Sequence, residues 1–249
     1  MTAEKKYLAI DIGNTRQKAA VFTSNGDIIT LINEPSLSLE TTADLVSKYQ
    51  IDSSILSNVG QQREDLSDHL SRHTNFVQFS HATPLPIKIE YETPDTLGLD
   101  RIANAVAAHA QFPDSAALSI QAGTCLVMDF ITADGRYWGG SISPGLEMRF
   151  KALAQFTHQL PFVKTQIPSD FIGKSTESSI SSGVFNGFID EINGTISRYE
   201  ERFGDIKIIL TGGNREEVFN SIKFTIFATS NFVLQGLFKI LIFNEQRKI

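Results

Sequence analysis

The sequence has few of the residues that build disulfide frameworks, nucleic-acid surfaces or membrane spans. Cys125 is the single cysteine among 249 residues, which excludes an intrachain disulfide framework and a zinc site made of several cysteines. The net charge is −6 and no run of lysine or arginine occurs, so binding to a nucleic-acid backbone has little electrostatic support. The apolar stretch 232–243 is interrupted by Gln235 and Lys239 and is shorter than the roughly 20 residues a bilayer requires. We therefore expect a cytoplasmic protein that binds neither nucleic acid nor membrane.

Several common catalytic motifs are also missing. The glycine patterns Gly-x-x-x-x-Gly-Lys and Gly-x-Gly-x-x-Gly do not occur, and no serine lies in a Gly-x-Ser-x-Gly elbow. His69 and His73 have the i, i+4 spacing of a helical metal site, but the glutamate of the zinc-protease pattern is missing. A P-loop, a Rossmann fold and a serine hydrolase are therefore disfavoured.

The chain contains two similar series of elements, each beginning with three strands. In the first series we predict strands at 7–12, 18–22 and 28–32, a helix at 42–49, a strand at 55–59, a helix at 63–73 and a strand at 76–79. The second has strands at 116–120, 126–131 and 137–142, helices at 145–155 and 176–203, a strand at 207–210, a helix after Gly213, a strand at 224–228 and a closing helix. The repeated order predicts an α/β protein with two similar mixed-sheet domains, 1–114 and 115–249, and a cleft between them.

The first candidate site is the segment Asp11-Ile12-Gly13-Asn14-Thr15, at the end of an apolar strand. Glycine permits a tight reversal in which backbone N–H groups face a phosphate. The carboxylate of Asp11 can then bind Mg²⁺, which takes one or two protein carboxylates and keeps several waters. Lys18 can neutralise phosphate charge. An ordinary hairpin turn explains the same residues, so this motif alone leaves both interpretations open.

Two further glycine turns lie in the second half. Gly123-Thr124 joins two apolar segments and is followed by Asp129, so that a hydroxyl and a carboxylate can approach nucleotide phosphates. The segment 211–214, Thr-Gly-Gly-Asn, separates a strand from a helix, where helix N-termini receive anions or ribose. Each, taken singly, can also be a plain connecting turn.

Gly98-Leu99-Asp100-Arg101 opens a helix that continues with an alanine-rich face. A carboxylate at a helix start can act as general base toward a substrate hydroxyl, and the adjacent arginine can pair with an anionic group. The alternative is a helix-capping aspartate beside a solvated arginine.

Taken together, these segments have the order and spacing found in one family. They are Asp11 to Lys18, Gly98 to Arg101, Gly139 to Gly145, Leu153, Thr157, Leu160, Pro161, Gly173 to Thr176, Gly183 and Thr211 to Gly213. They resemble the type III pantothenate kinases over nearly the whole chain. The resemblance implies a duplicated ribonuclease-H-like, actin-like ATPase fold and a homodimer that phosphorylates pantothenate with ATP, the first step of coenzyme A biosynthesis.

The resemblance also implies residue roles. It implies nucleotide contacts by Asp11, Ile12, Gly13, Asn14, Thr15, Arg16, Gln17, Lys18 and Thr124, with Asp11 meeting the Mg²⁺ of ATP. It implies pantothenate contacts by Tyr91, Gly98, Leu99, Asp100, Arg101 and Thr176, with Asp100 as the proton acceptor. Phosphoryl transfer depends on positioning and charge neutralisation, and this set of residue types suits both.

The chain departs from the family at Gln121, where the family usually has an aspartate that binds a monovalent cation, K⁺ or NH₄⁺. A neutral amide removes one formal charge from an oxygen-ligand site, so reduced activation by potassium is expected.

The sequence leaves two functions open besides that of a pantothenate kinase. One is a kinase of another small hydroxylated acid or sugar, and the other is a catalytically weak or inactive member that acts as an accessory binding protein.

Overall fold

The computed structural model describes residues 4–13, 15–58 and 63–247, without the side chain of residue 217. Two compact units are present. One comprises Met1–Gln111, Gly135–Tyr137 and Asn231–Ile249, and the other comprises Phe112–Asp134 and Trp138–Ser230.

The first unit is built on a five-stranded mixed sheet in the order β3-β2-β1-β4-β5. Strands β1 to β3 form an antiparallel meander, and β4 and β5 continue the sheet in parallel with β1. Its elements are β1 (Lys6–Ile12), β2 (Gln17–Thr23), β3 (Ile28–Glu34), α1 (Leu39–Tyr49), β4 (Ser53–Asn58), α2 (Glu64–His73), β5 (Asn75–Gln78), β6 (Lys88–Ile89), a 3-10 helix (Pro94–Thr96) and α3 (Leu99–Gln111).

The second unit contains the other mixed sheet, in the order β11-β10-β7-β8-β9. Its elements are β7 (Ala117–Ala122), β8 (Cys125–Ile131), β9 (Arg136–Pro144), α4 (Leu146–Phe156), α5 (Thr176–Phe203), β10 (Lys207–Thr211), α6 (Arg215–Phe219) and β11 (Ile226–Ala228). The first two residues of β9 belong to the first unit, where they pair in parallel with β6. The core of the second unit consists mainly of the inward faces of β7, β8 and β10 and the apolar face of α5.

The closing helix α7 (Phe232–Gln246) lies in the first unit and packs against α3. Small residues make that close approach possible, since a Cβ atom at Gly236 would collide with the carbonyl oxygen of Ala103. None of the helices in the described ranges combines the length and apolar character of a bilayer span.

The predicted α/β class with two mixed sheets is confirmed. The three opening strands of each half are present, whereas the short strand β6 and the 3-10 helix had no counterpart in the sequence prediction. The first break between the units falls after Gln111, and α7 is grouped with the first unit rather than with the second half of the chain. The domain boundary at residue 114 stays a prediction.

Candidate functional site

Asp11 lies near the end of β1, at the centre of the first sheet. It is directly opposite Lys18 in the antiparallel pair with β2, and it is paired with Ser57 in β4. The side chain is buried, with 8% of its surface exposed. Its Oδ1 atom has no hydrogen-bond partner within the described part of the chain. A buried carboxylate oxygen without a partner carries a large desolvation cost unless a cation meets it.

The pKa of the Asp11 carboxyl shows how that cost is expressed. Burial first and the negative charge of Asp100 second raise the pKa, Lys18 lowers it, and the net result is an increase from 3.8 to about 7. The influence of Asp100 links the two aspartates electrostatically within one unit. Near neutral pH the carboxyl is therefore divided between its protonated form and an ionised form that attracts a cation.

The environment of Asp11 fits a magnesium ligand. Within residues 4–13, 15–58 and 63–247 there is no group of three or more histidine, cysteine, aspartate or glutamate side chains that could hold a metal. Magnesium does not need such a cage, because it keeps several waters and is commonly bound by one or two carboxylates together with substrate phosphates. The unpartnered oxygen of Asp11 would supply one such ligand.

The remainder of the first glycine loop is held by local hydrogen bonds. The amide of Gly13 donates to the carbonyl of Arg16 at 3.2 Å, which closes a tight turn between β1 and β2. Thr15 is exposed, and the side chain of Ile12 is buried in the core, so only the backbone of Ile12 is available to a ligand. Asn14 lies outside the described residues.

Two side chains of this loop region are engaged with the protein itself. The guanidinium of Arg16 donates to the side chain and carbonyl of Asn33, at 3.0 and 2.8 Å. The side-chain oxygen of Gln17 accepts a hydrogen bond from the amide of Leu37 at 2.7 Å. A nucleotide contact by either residue would have to coexist with these bonds, and both contacts stay predictions.

Asp100 occupies the first turn of α3. Both Arg101 and Ile102 donate their amides to the carbonyl of Gly98, at 3.1 and 3.2 Å, and so form the start of this helix. A Cβ atom at Gly98 would lie 2.6 Å from Oδ1 of Asp100. Glycine at 98 therefore leaves room for the position that this half-buried carboxylate adopts.

Arg101 is buried, with 6% of its surface exposed, so the alternative of a solvated arginine is wrong. Its guanidinium lies over the ring of Tyr91, 5.6 Å from the ring centroid. The ring of Tyr91 in turn lies 6.1 Å from that of Tyr137. The first unit thus holds four of the predicted site residues in two linked groups, Asp11 with Asp100 and Arg101 with Tyr91.

In the second unit, three glycine-containing loops are packed against one another. The amide of Gly145 donates to the carbonyl of Thr124 at 3.1 Å, and that of Asn214 donates to the carbonyl of Ala122 at 3.0 Å. A Cβ atom at Gly145 or at Gly212 would collide with the backbone of the 122–124 turn. Gly212 also has a φ of +102°, which favours glycine. Gln121 at the end of β7 is paired with Thr211 at the end of β10, so the 122–124 turn and the loop that contains Gly212 follow side by side.

A cavity of about 800 Å³ lies beside α4 and α5 in the same unit. Leu153, Leu160, Thr176 and Gly183, which all belong to the family resemblance, line it. Thr176 begins α5 directly after the N-cap Ser175, whose hydroxyl accepts the amide of Ser178 in a capping box. Helix capping therefore fixes the position of Thr176 at the edge of this cavity.

Sequence reasoning missed Arg149, which also lines this cavity. Its guanidinium forms an ion pair with Glu191, donates to the hydroxyl of Ser143 at 3.3 Å and lies 5.0 Å from the ring centroid of Phe188. No spacing pattern joins Arg149 to Glu191, so only the packing of α4 on α5 shows the pair.

His69 and His73, the histidine pair of α2, stack on one another with 4.4 Å between their ring centroids.

Solved structures of the actin-like class share this fold. A glucokinase from an Antarctic psychrotroph matches with a TM-score of 0.54 and 12% identity over 96% of this chain and 99% of its own. The activator of 2-hydroxyisocaproyl-CoA dehydratase from Clostridium difficile, with bound ADPNP, matches with a TM-score of 0.52 and 14% identity over 98% of both chains. The fold is therefore the actin-like fold of these two proteins.

Sequence similarity defines the family within that class. Residues 7–198 match the type III pantothenate kinase family. The type III pantothenate kinase of Christiangramia forsetii is 45% identical over 96% of this chain and 98% of its own length. The type III pantothenate kinase of Phocaeicola vulgatus is 39% identical over 96% of this chain and 99% of its own length. This chain belongs to the type III pantothenate kinase family, whose members are ATP-dependent kinases that act with a divalent metal.

Proposed function

We propose that this protein transfers the γ-phosphoryl group of ATP to the hydroxyl of pantothenate and forms 4'-phosphopantothenate for coenzyme A synthesis. The observation that carries the proposal is the pair of Asp11 and Asp100 in one unit. One carboxylate is buried without a hydrogen-bond partner within the described residues, and the other lies half-buried at a helix start within electrostatic reach of it. A cation ligand and a base are the two carboxylate roles that this reaction requires.

The proposed roles follow from charge and position. When bound, Mg²⁺ supplies charge neutralisation at the phosphates of ATP, and Asp11 would be its protein ligand. Lys18, opposite Asp11, adds positive charge, and Asp11 to Lys18 together with Thr124 are the proposed nucleotide contacts. Asp100 accepts the proton of the pantothenate hydroxyl as the oxygen attacks phosphorus.

Each unit by itself offers residues suited to contacts with pantothenate. Tyr91, Gly98, Leu99 and Arg101 are proposed in the first, where Arg101 offers a buried positive charge to an anionic group. Thr176 is proposed in the second, where its cavity has mostly apolar walls suited to a branched aliphatic substrate.

We also propose a homodimer in the cytoplasm. The most exposed large apolar side chains all lie between residues 142 and 172, and they are Ile142, Phe156, Phe162, Ile167, Phe171 and Ile172. Phe156 is 81% exposed and Phe171 is 75% exposed, which is costly in water unless a partner covers them. Sedimentation at micromolar concentration is expected to give a species twice the mass of the 27.5 kDa chain.

The function is tested with purified protein, ATP and pantothenate, with phosphopantothenate detected by mass spectrometry. Competition by other small hydroxylated acids and sugars separates a pantothenate kinase from a kinase of a different substrate. Expression in a cell lacking its own pantothenate kinase tests the accessory alternative. Soluble protein that neither forms the product nor rescues growth would favour an accessory binding protein.

Gln121 leads to a separate prediction about monovalent cations. Because an amide replaces the usual carboxylate, we expect kcat/KM to change less than about twofold when K⁺ replaces Na⁺. Gln121→Asp is expected to introduce activation by K⁺, which a titration of initial rates with KCl at constant ionic strength measures. A steep increase in the turnover of the unmodified enzyme with K⁺ would contradict the prediction.

A further inference from the structure

A second recess in the unit formed by Phe112–Asp134 and Trp138–Ser230 has no part in the proposed reaction. It has a volume of about 350 Å³, and its lining includes Phe130, Trp138, Arg198, Tyr199, Arg202 and Phe203. We call it the aromatic recess. Phe203 is the last residue of α5 and Thr176 is the first. The two ends of this 28-residue helix are about 40 Å apart at 1.5 Å per residue, so the recess is separate from the cavity beside Thr176.

Aromatic rings form much of the lining of the recess. Phe130 is buried and stacks on Phe203 with 4.4 Å between ring centroids. Trp138 meets the edge of Phe203 at 5.7 Å, yet 45% of its surface remains exposed. Gly139 and Gly140 follow Trp138 and also line the recess, so this wall has no further side chains. A flat apolar surface beside an exposed indole is suited to a planar ring.

Two arginines border the same surface. Arg198 and Arg202 are one turn apart on α5, and both are exposed. Within the described residues neither forms an ion pair or a hydrogen bond, and the guanidinium of Arg202 lies over the ring of Phe203 at 5.1 Å. Like charges at i, i+4 repel one another, and an anion between them would relieve that repulsion.

Asp129 is an acidic side chain close to the same surface. Burial raises the pKa of the Tyr199 phenol, the negative charge of Asp129 also raises it, and Arg202 acts in the opposite direction. Asp129 is only 3% exposed, whereas both arginines are exposed. A ligand in the recess would meet two guanidinium groups first.

We propose that the aromatic recess binds a small ligand in which a planar aromatic ring carries a phosphate group. The ring would stack on the exposed indole of Trp138, and the phosphate would accept hydrogen bonds from Arg198 and Arg202. The volume lies within the range of small-molecule pockets and suits one ring system with one anionic group. Planar guanidinium groups match phosphate oxygens in pairs.

Trp138 reports on this site directly, because it is the single tryptophan of the chain. The full-length protein is titrated with phenyl phosphate and with adenosine monophosphate while tryptophan emission is recorded. Inorganic phosphate, phenol and adenosine serve as half-ligands. We expect saturable quenching by the two complete probes, with at least tenfold weaker binding of the half-ligands, because each half-ligand loses either the stacking or the charged contacts.

Substitutions of the two arginines test whether the probes bind in the aromatic recess. Arg198→Ala and Arg202→Ala are each expected to weaken phenyl phosphate about tenfold, since each removes one charge-assisted contact. Arg198→Lys should recover part of that loss. Lys207→Ala removes a positive charge of the same unit outside the recess and should leave binding unchanged. Circular dichroism checks that every variant is folded.

Three outcomes of the titrations would overturn the proposal. They are an absence of saturable quenching by either complete probe, equal affinity for inorganic phosphate and phenyl phosphate, and unchanged affinity in both alanine variants. A tryptophan emission that depends on protein concentration rather than on the probes would instead show that the recess is a subunit contact, which also overturns it. The test does not depend on kinase activity.

Discussion

Asp100→Asn is expected to lower kcat for phosphopantothenate formation by about 10² to 10⁴. An amide has the shape of the carboxylate but cannot accept the proton of the attacking hydroxyl. Since the half-buried side chain keeps its size, the fold and the binding of MgATP should change little. Steady-state rates with pantothenate varied at saturating MgATP separate the loss in kcat from a change in KM.

Two variants make this test specific. Asp95→Asn changes an exposed aspartate of the neighbouring 3-10 helix and should leave kcat within about twofold, as most surface substitutions do. Gly98→Ala places a methyl group 2.6 Å from Oδ1 of Asp100, so the carboxylate must move and kcat should fall about tenfold. Full activity in Asp100→Asn would rule out its role as the base.

The sequence was informative where chemistry depends on short segments. Strands, turns and the glycine loops were predictable because each is encoded by neighbouring residues, such as the Gly13 turn between two apolar segments. Once the first two strands are paired across that turn, Lys18 must lie opposite Asp11, so this contact follows from local pattern as well. The burial of Asp11 is known only from the structure and could not be predicted from the sequence.

Other features depend on packing between distant segments. Nothing local to the closing helix indicates that it packs on α3, because that contact requires Gly236 to meet the backbone of Ala103. The same holds for the ion pair of Arg149 with Glu191. The meeting of the Gly145 and Gly212 loops at the 122–124 turn also needs the sheet register. These arrangements arise from shape complementarity between elements, which periodicity does not report.

Asp11→Asn is expected to have two opposite effects, a loss of activity and a gain in stability. Activity should fall by about 10² or more, because a neutral amide replaces the carboxylate proposed to meet the metal. Stability of the ligand-free protein should increase at pH 8. The carboxyl has a pKa of about 7 in the folded state instead of 3.8, so its ionisation opposes folding.

The direction of the pH dependence follows from proton linkage. Between pH 4 and pH 7 the folded state retains a proton that the unfolded state has released, so the free energy of unfolding decreases as pH rises through this window. Above pH 7 the loss is complete and reaches at most about 4 kcal/mol. Asn removes this cost, although it also leaves Lys18 without its opposite charge, so the gain is smaller than that limit.

Thermal unfolding of the two proteins at pH 5 and pH 8 measures the effect. The variant should unfold about 5–10 °C higher than the original protein at pH 8 and by less than half that margin at pH 5, since a domain of this size shifts about 2–4 °C per kcal/mol. Adding MgATP should stabilise the original protein more than the variant, because binding to the folded state depends on the ionised carboxylate. Equal stability at pH 8 would show that Asp11 is ionised without cost. The burial of an unpartnered oxygen would then no longer support a cation site.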